Sequence, residues 1–150
     1  MNPQASDPFD LNRFIEAQQG SYDVALAEIR AGHKRTHWMW YIFPQVAGLA
    51  FSSMSQKYAI QSVAEANAYL QHPILGPRLI ACTQAALAVE GKSANQIFGS
   101  PDDLKLKSSA TLFTAVSPEG SVFERLLEKY YQGQRDERTL KLLAQMKTGE

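Results

Sequence analysis

The densest run of residues able to do chemistry is Lys34-Arg35-Thr36-His37-Trp38-Met39-Trp40-Tyr41-Ile42-Phe43-Pro44-Gln45. Both tryptophans of the chain lie in it, beside a tyrosine, a phenylalanine, a histidine and two cations. Aromatic rings offer a wide contact face at little entropic cost. A cation or an N–H donor next to such a face can hold the anionic group of a planar ligand. His37 is the natural general acid or base near neutral pH, with Lys34 as electrostatic stabiliser. The competing reading makes Trp38, Met39, Ile42 and Phe43 ordinary core and leaves Lys34 and Arg35 in solvent.

Two other places break the apolar pattern around them. Gln18 shares a helix face with Leu11, Phe14 and Ile15, so an amide falls where burial is expected and needs partners there. Either a nearby backbone satisfies it or it lines a pocket. In the segment after Pro101, Ser108 and Ser109 fall on or beside a face carrying Leu104, Thr111, Leu112 and Ala115. Hydroxyls on such a stripe bond back to the preceding turn, or allow a ligand to approach closely. A pocket built from Gln18, Lys34, His37, Trp38, Trp40 and Gln45, joined by Tyr58, Ser108 or Ser109, is the sharper expectation.

Other constellations fail on spacing. His33 and His37 are four apart, but Gly32 ends a helix just before them, no glutamate lies between them, and His72 has no acidic cluster nearby. No metal site is expected, since zinc needs three or four ligands. Cys82 sits in an apolar helical run, where a free cysteine behaves as a small hydrophobe. Neither GxGxxG nor GxxxxGK[ST] occurs, nor a GxSxG elbow. Glu16, Asp23 and Glu28 are available carboxylates whose convergence spacing alone does not show. No cofactor is expected.

The elements that must position these residues read as helices. Asp10 is placed to cap a helix through Leu11, Phe14 and Ile15 that ends near Gly20. Ser21 caps the next, with Val24, Leu26 and Ile29 inward and Gly32 as the left-handed stop. Ser62-Val63-Ala64-Glu65 reads as a capping box for a helix ending before Pro73. A further helix runs from about Ile74 to Val89. Ser100-Pro101-Asp102-Asp103 and Ser117-Pro118-Glu119 read as two more starts, each with a serine cap and a proline in the first turn. A last helix begins near Asp136 and uses Leu140, Leu143 and Met146. Trp38–Phe43 reads as a short helix or turn ended by Pro44. The expectation is an all-α, compact single-domain bundle of seven or eight short helices over 9–147, preceded by a flexible segment 1–8.

Composition bounds the rest. At 150 residues, 45% hydrophobic and 20% charged, the chain has the make-up of one globular domain. Fifteen basic side chains balance fifteen acidic ones, so no global field draws it to nucleic acid or an anionic membrane. The most apolar stretch, Trp38 to Phe51, falls short of the roughly 20 residues that span a bilayer. The N-terminus has neither the basic start nor the apolar run of a signal peptide. One cysteine fits a reducing compartment, so a cytoplasmic monomer or weak homodimer is expected.

The chain resembles the bacterial domain-of-unknown-function family numbered 1810, from Phe9 to the C-terminal helices. The resemblance is carried by Phe14-Ile15-Glu16-Ala17-Gln18, Ala25-Leu26-Ala27-Glu28-Ile29, Gly32 with Lys34, and the rare run His37 to Gln45. It continues through Ser52 to Ser55, Tyr58, Ala68-Tyr69-Leu70, Ile97-Phe98-Gly99, Asp103, Lys105 and Ser108 to Phe113. It implies a mainly helical fold and brings no activity with it. A looser architectural similarity to small helical N-glycosidases acting on ADP-ribose derivatives suggests hydrolysis. The functional expectation is a domain that binds a small nucleotide-like or other planar, anionic ligand; if it is an enzyme, the class is hydrolysis, with His37 and Lys34 in the catalytic roles. The alternative is a non-catalytic module that docks a protein partner through Trp38–Phe43.

Overall fold

The computed structural model describes residues 7–148. They form ten helices: α1 Asn12–Gln18, α2 Tyr22–Arg30, α3 Met39–Ile42, α4 Ser53–Lys57, α5 Val63–Gln71, α6 Leu75–Ala88, α7 Ala94–Phe98, α8 Asp102–Ala115, α9 Val122–Tyr131 and α10 Glu137–Thr148. The only extended pairing among the described residues is a parallel bridge between Val46 and Ile60. The all-α class therefore holds, with two or three more helices than the seven or eight expected. The additions include α4 and α7, each five residues long and too short to show a helical period. The expected N-terminal segment 1–8 lies largely outside the described residues.

Helix α8 is the axis. Leu106 and every residue from Ser108 to Phe113 are buried, because α7, α9, α10 and α5 pack around it. Helix α6 packs on α2, α5 and α9. A file of rings crosses the core from α1 to α9. Phe14 meets Tyr69 edge-on at 5.1 Å, Tyr69 meets Phe113 at 5.5 Å, and Phe113 meets Phe123 at 5.6 Å. Such pairs add to the apolar burial that holds the bundle together.

Several helix starts differ from the sequence expectation, each for a local reason. Asp10 has φ 52°, and the capping position of α1 falls on Leu11. The carboxylate of Asp7 instead accepts from the N–H groups of Leu11 and Asn12 at 2.8 and 3.0 Å. Ser21 stands at the start of α2, but its hydroxyl does not cap that helix and accepts from the Tyr41 hydroxyl. Val24 points outward at 43% exposure, and Ala25 and Ile29 hold the buried face. Gly32, at φ +74°, closes the helix as expected. Ser62 accepts from Glu65 N–H, yet Glu65 reaches back to Gln61 N–H rather than to Ser62. Ser100 does not cap α8: the helix opens at Asp102, with Pro101 in the capping position and no side-chain cap. At α9 the cap is Ser121, not Ser117. Asp136 does open the last helix, accepting from Thr139 N–H at 3.0 Å.

Candidate functional site

The segment Lys34–Gln45 is drawn into the fold from both sides. Gly32 turns the chain, and Lys34 N–H donates to the Ile97 carbonyl at 2.7 Å. The Glu28 carboxylate then gathers the next turn: Oε1 accepts from Arg35 N–H, Thr36 N–H and the Trp38 indole, and Oε2 from the Thr36 hydroxyl. Burial alone would raise the Glu28 carboxyl. The bonds from Arg35, Thr36 and Trp38 outweigh it and hold the group at about 2. The Lys34 ammonium, its side chain 6% exposed, pairs with Asp102 at 2.9 Å and donates to the Thr36 carbonyl.

Within this frame Trp38, Met39, Ile42 and Phe43 are core, each at 2% exposure or less. Trp40 is half-buried and points elsewhere, as residues two apart on a helix must. Its ring lies 4.9 Å from the Lys105 ammonium of α8. Lys105 also contacts Asp102 at 3.4 Å, so one carboxylate serves two lysines and leaves a net positive charge at this wall.

Trp40, Gln45 and Ser108 line a groove of about 470 Å³ between the α3–α4 connection and helices α8 and α10. Leu104, Lys105 and Arg138 complete its cationic and apolar walls. An inner recess of about 20 Å³ reaches Tyr58. The connection is held in place at three points. The parallel bridge bonds Ile60 N–H to the Gln45 carbonyl and Ala47 N–H to the Ile60 carbonyl. Ser52 caps α4 through Ser55 N–H, and Arg138 donates to the Leu49 carbonyl at 3.2 Å. Thr111 fixes the opposite wall, donating to the Lys107 carbonyl and accepting from Asp136 N–H, which sets the start of α10 against α8.

The structure thus brings together Trp40, Gln45, Tyr58 and Ser108 from the set expected from sequence. Gln18 lies outside the groove, at 2% exposure. Its amide donates to the Tyr41 carbonyl at 2.8 Å and the Tyr69 hydroxyl at 3.2 Å, and accepts from Arg78 at 3.2 Å. Ser109 is buried in α8 at 1% exposure. His37 is exposed and lines a different crevice of about 140 Å³ with Ser21, Thr36, Trp38 and Tyr41. The expected single pocket is divided by α3 into two, with Gln18 and Lys34 bound up between helices. Among the described residues no three His, Cys, Asp or Glu side chains converge as metal ligands. No helix there is long and apolar enough to cross a membrane.

Sequence reasoning did not place Leu104, Lys105, Asp136 or Arg138 at the site. Lys105 carried one signal, as part of the family-like pattern with Asp103. Arg138 carried none, because its role depends on where α10 docks.

Over the described residues the fold is a ten-helix all-α arrangement with an aromatic and cationic cleft. The family described as protein of unknown function, DUF1810, matches residues 8–143, and the chain belongs to it. The structure is similar to the crystal structure of the conserved hypothetical protein Rv1873 from Mycobacterium tuberculosis. The two share 53% identity over 92% of this chain and 99% of that chain, with a TM-score of 0.90. Comparison with curated proteins gives no match.

Proposed function

We propose that this domain binds a small ligand with a planar part and an anionic part in the groove beside Trp40. The observation that carries the reading is the half-buried Trp40 ring with the Lys105 ammonium 4.9 Å from its centroid, in the wall of a groove of about 470 Å³. That volume lies within the usual range for small-molecule sites. Leu49, Ala50 and Leu104 supply apolar surface, while Gln45, Ser55 and Ser108 supply a few polar groups to orient a ligand. Lys105 and Arg138 supply positive charge. Docking of a protein through Trp38–Phe43 is less well supported, since four of those six residues are buried.

Intrinsic fluorescence titration with adenosine 5′-monophosphate tests the reading. Trp38 is buried, so saturable quenching should come from Trp40 and vanish in Trp40→Phe. Lys105→Ala should weaken binding at least about tenfold, the scale of losing one charge-assisted contact. Quenching that survives unchanged in Trp40→Phe would place the ligand elsewhere.

A further inference from the structure

We propose that the groove's ligand is bipartite: an aromatic head held at Trp40 and a tail with two or more negative charges that passes Arg138 into a neighbouring crevice. This rests on the ligand-binding reading of the groove given above. The second crevice measures about 670 Å³ and is more open and more charged, with Lys107, Arg135, Glu137 and Gln134 in its walls. Asp136 and Arg138 line both spaces, so the two meet at the start of α10. Helix α8 contributes one lysine to each. Lys105 and Lys107 are two residues apart and so project to different sides of the helix, Lys105 into the groove and Lys107 into the second crevice.

Cations outnumber carboxylates among the side chains that line the two spaces. Four lining side chains are cations, Lys105, Lys107, Arg135 and Arg138, and two are carboxylates, Asp136 and Glu137. The Asp136 carboxylate is turned onto its own helix, where it accepts from the N–H and the hydroxyl of Thr139. Arg135 is paired with Glu124 at 2.9 Å and Lys105 with Asp102 at 3.4 Å. Lys107 and Arg138 form no ion pair among the described residues. Arg138 donates to the Leu49 carbonyl at 3.2 Å, a weaker partner for a guanidinium than a phosphate or carboxylate oxygen. An anionic tail therefore meets two cations in succession that no described carboxylate pairs, Arg138 at the junction and Lys107 beyond it. The Lys107 ammonium lies 5.9 Å from the centre of the Tyr131 ring, and the Glu137 carboxylate opposes both cations on the same wall. A single-charge ligand confined to the groove would leave Lys107 unused.

The test compares adenosine, tripolyphosphate and adenosine triphosphate, without divalent cations, by calorimetry and Trp40 fluorescence. Joining head and tail should tighten binding at least about tenfold over either part alone. Lys107→Glu should weaken adenosine triphosphate and tripolyphosphate about tenfold and leave adenosine unchanged, because reversal opposes the tail only. Equal affinity for adenosine and adenosine triphosphate, or indifference of the triphosphate to Lys107→Glu, overturns the bipartite ligand while the groove reading stands. Silence of Trp40 toward all three overturns the groove reading, and this proposal with it.

Discussion

The Trp38 indole donates to Glu28 Oε1 at 2.9 Å, and the same oxygen holds the N–H groups of Arg35 and Thr36. One carboxylate of α2 thereby fixes the path of the chain into α3, and with it the direction of Trp40. The folded Glu28 carboxyl lies at about 2, against an ordinary 4.5. A depressed carboxyl contributes stability above its unfolded value and loses it as pH falls through the folded value. Unfolding free energy should therefore drop by about 1–2 kcal/mol between pH 5 and pH 2 on account of this group, after discounting for solvent screening. Glu28→Gln should be less stable at pH 7 and should lack that part of the acid slope. Urea unfolding followed by circular dichroism across this range decides it. An unchanged slope in the variant would mean that the four bonds do not favour the charged form.

Gln18 makes a second prediction, about architecture. Its amide joins α1 to the Tyr41 carbonyl, the Tyr69 hydroxyl of α5 and Arg78 of α6. Gln18→Leu preserves volume but strands these three partners, at about 1–3 kcal/mol for an unsatisfied buried group. Denaturant unfolding should show a loss in this range, and adenosine monophosphate affinity should change less than threefold. A loss of affinity with intact stability would instead give Gln18 the ligand contact that its burial argues against.

Gly76 lies where α6 begins against the end of α5. A Cβ there would meet the Leu70 carbonyl oxygen at 2.1 Å, a backbone atom that cannot rotate away. Gly76→Ala must separate the two helices and should cost about 1–3 kcal/mol or more, the range for overpacking. The midpoint of thermal unfolding reads this directly. A variant as stable as wild type would show that the α5–α6 junction yields freely.

What the sequence disclosed followed the length of each element. Helices α6 and α8, fourteen residues each, are legible because apolar residues recur over several turns, and at α8 Asp102 and Asp103 add an acidic first turn. Helix α7 was missed, although Ser93-Ala94-Asn95-Gln96 forms a full capping box. Five residues give no period to confirm such a signal. The start of α9 misleads because two serines, Ser117 and Ser121, precede Val122 closely and propensity does not choose between them. The site was half legible. The aromatic run announced itself, but whether a tryptophan faces core or groove depends on the turn that Glu28 imposes. Groove residues from α10 were invisible, since Arg138 meets Leu49 across 89 positions of sequence.

Asp102 separates a cation that builds the fold from one that serves the groove. Lys34 reaches it at 2.9 Å with a side chain only 6% exposed, and Lys105 reaches it at 3.4 Å with 26% exposure. Removing a partner from a buried pair is strongly destabilising because a charge is left uncompensated, whereas an exposed pair contributes little. Lys34→Met should therefore cost about 2 kcal/mol or more, moderated because Lys105 remains beside Asp102. Lys105→Met should stay within about 1 kcal/mol of wild type, yet it should lose most affinity for adenosine monophosphate. Asp102→Asn leaves two lysines without their carboxylate. It should destabilise the fold while the freed positive charge maintains or strengthens anion binding. Paired denaturation and calorimetry on the three variants resolve the roles. If Lys34→Met proves stable and loses binding while Lys105→Met does neither, the assignments are reversed, and Lys34 is the cation that meets the ligand.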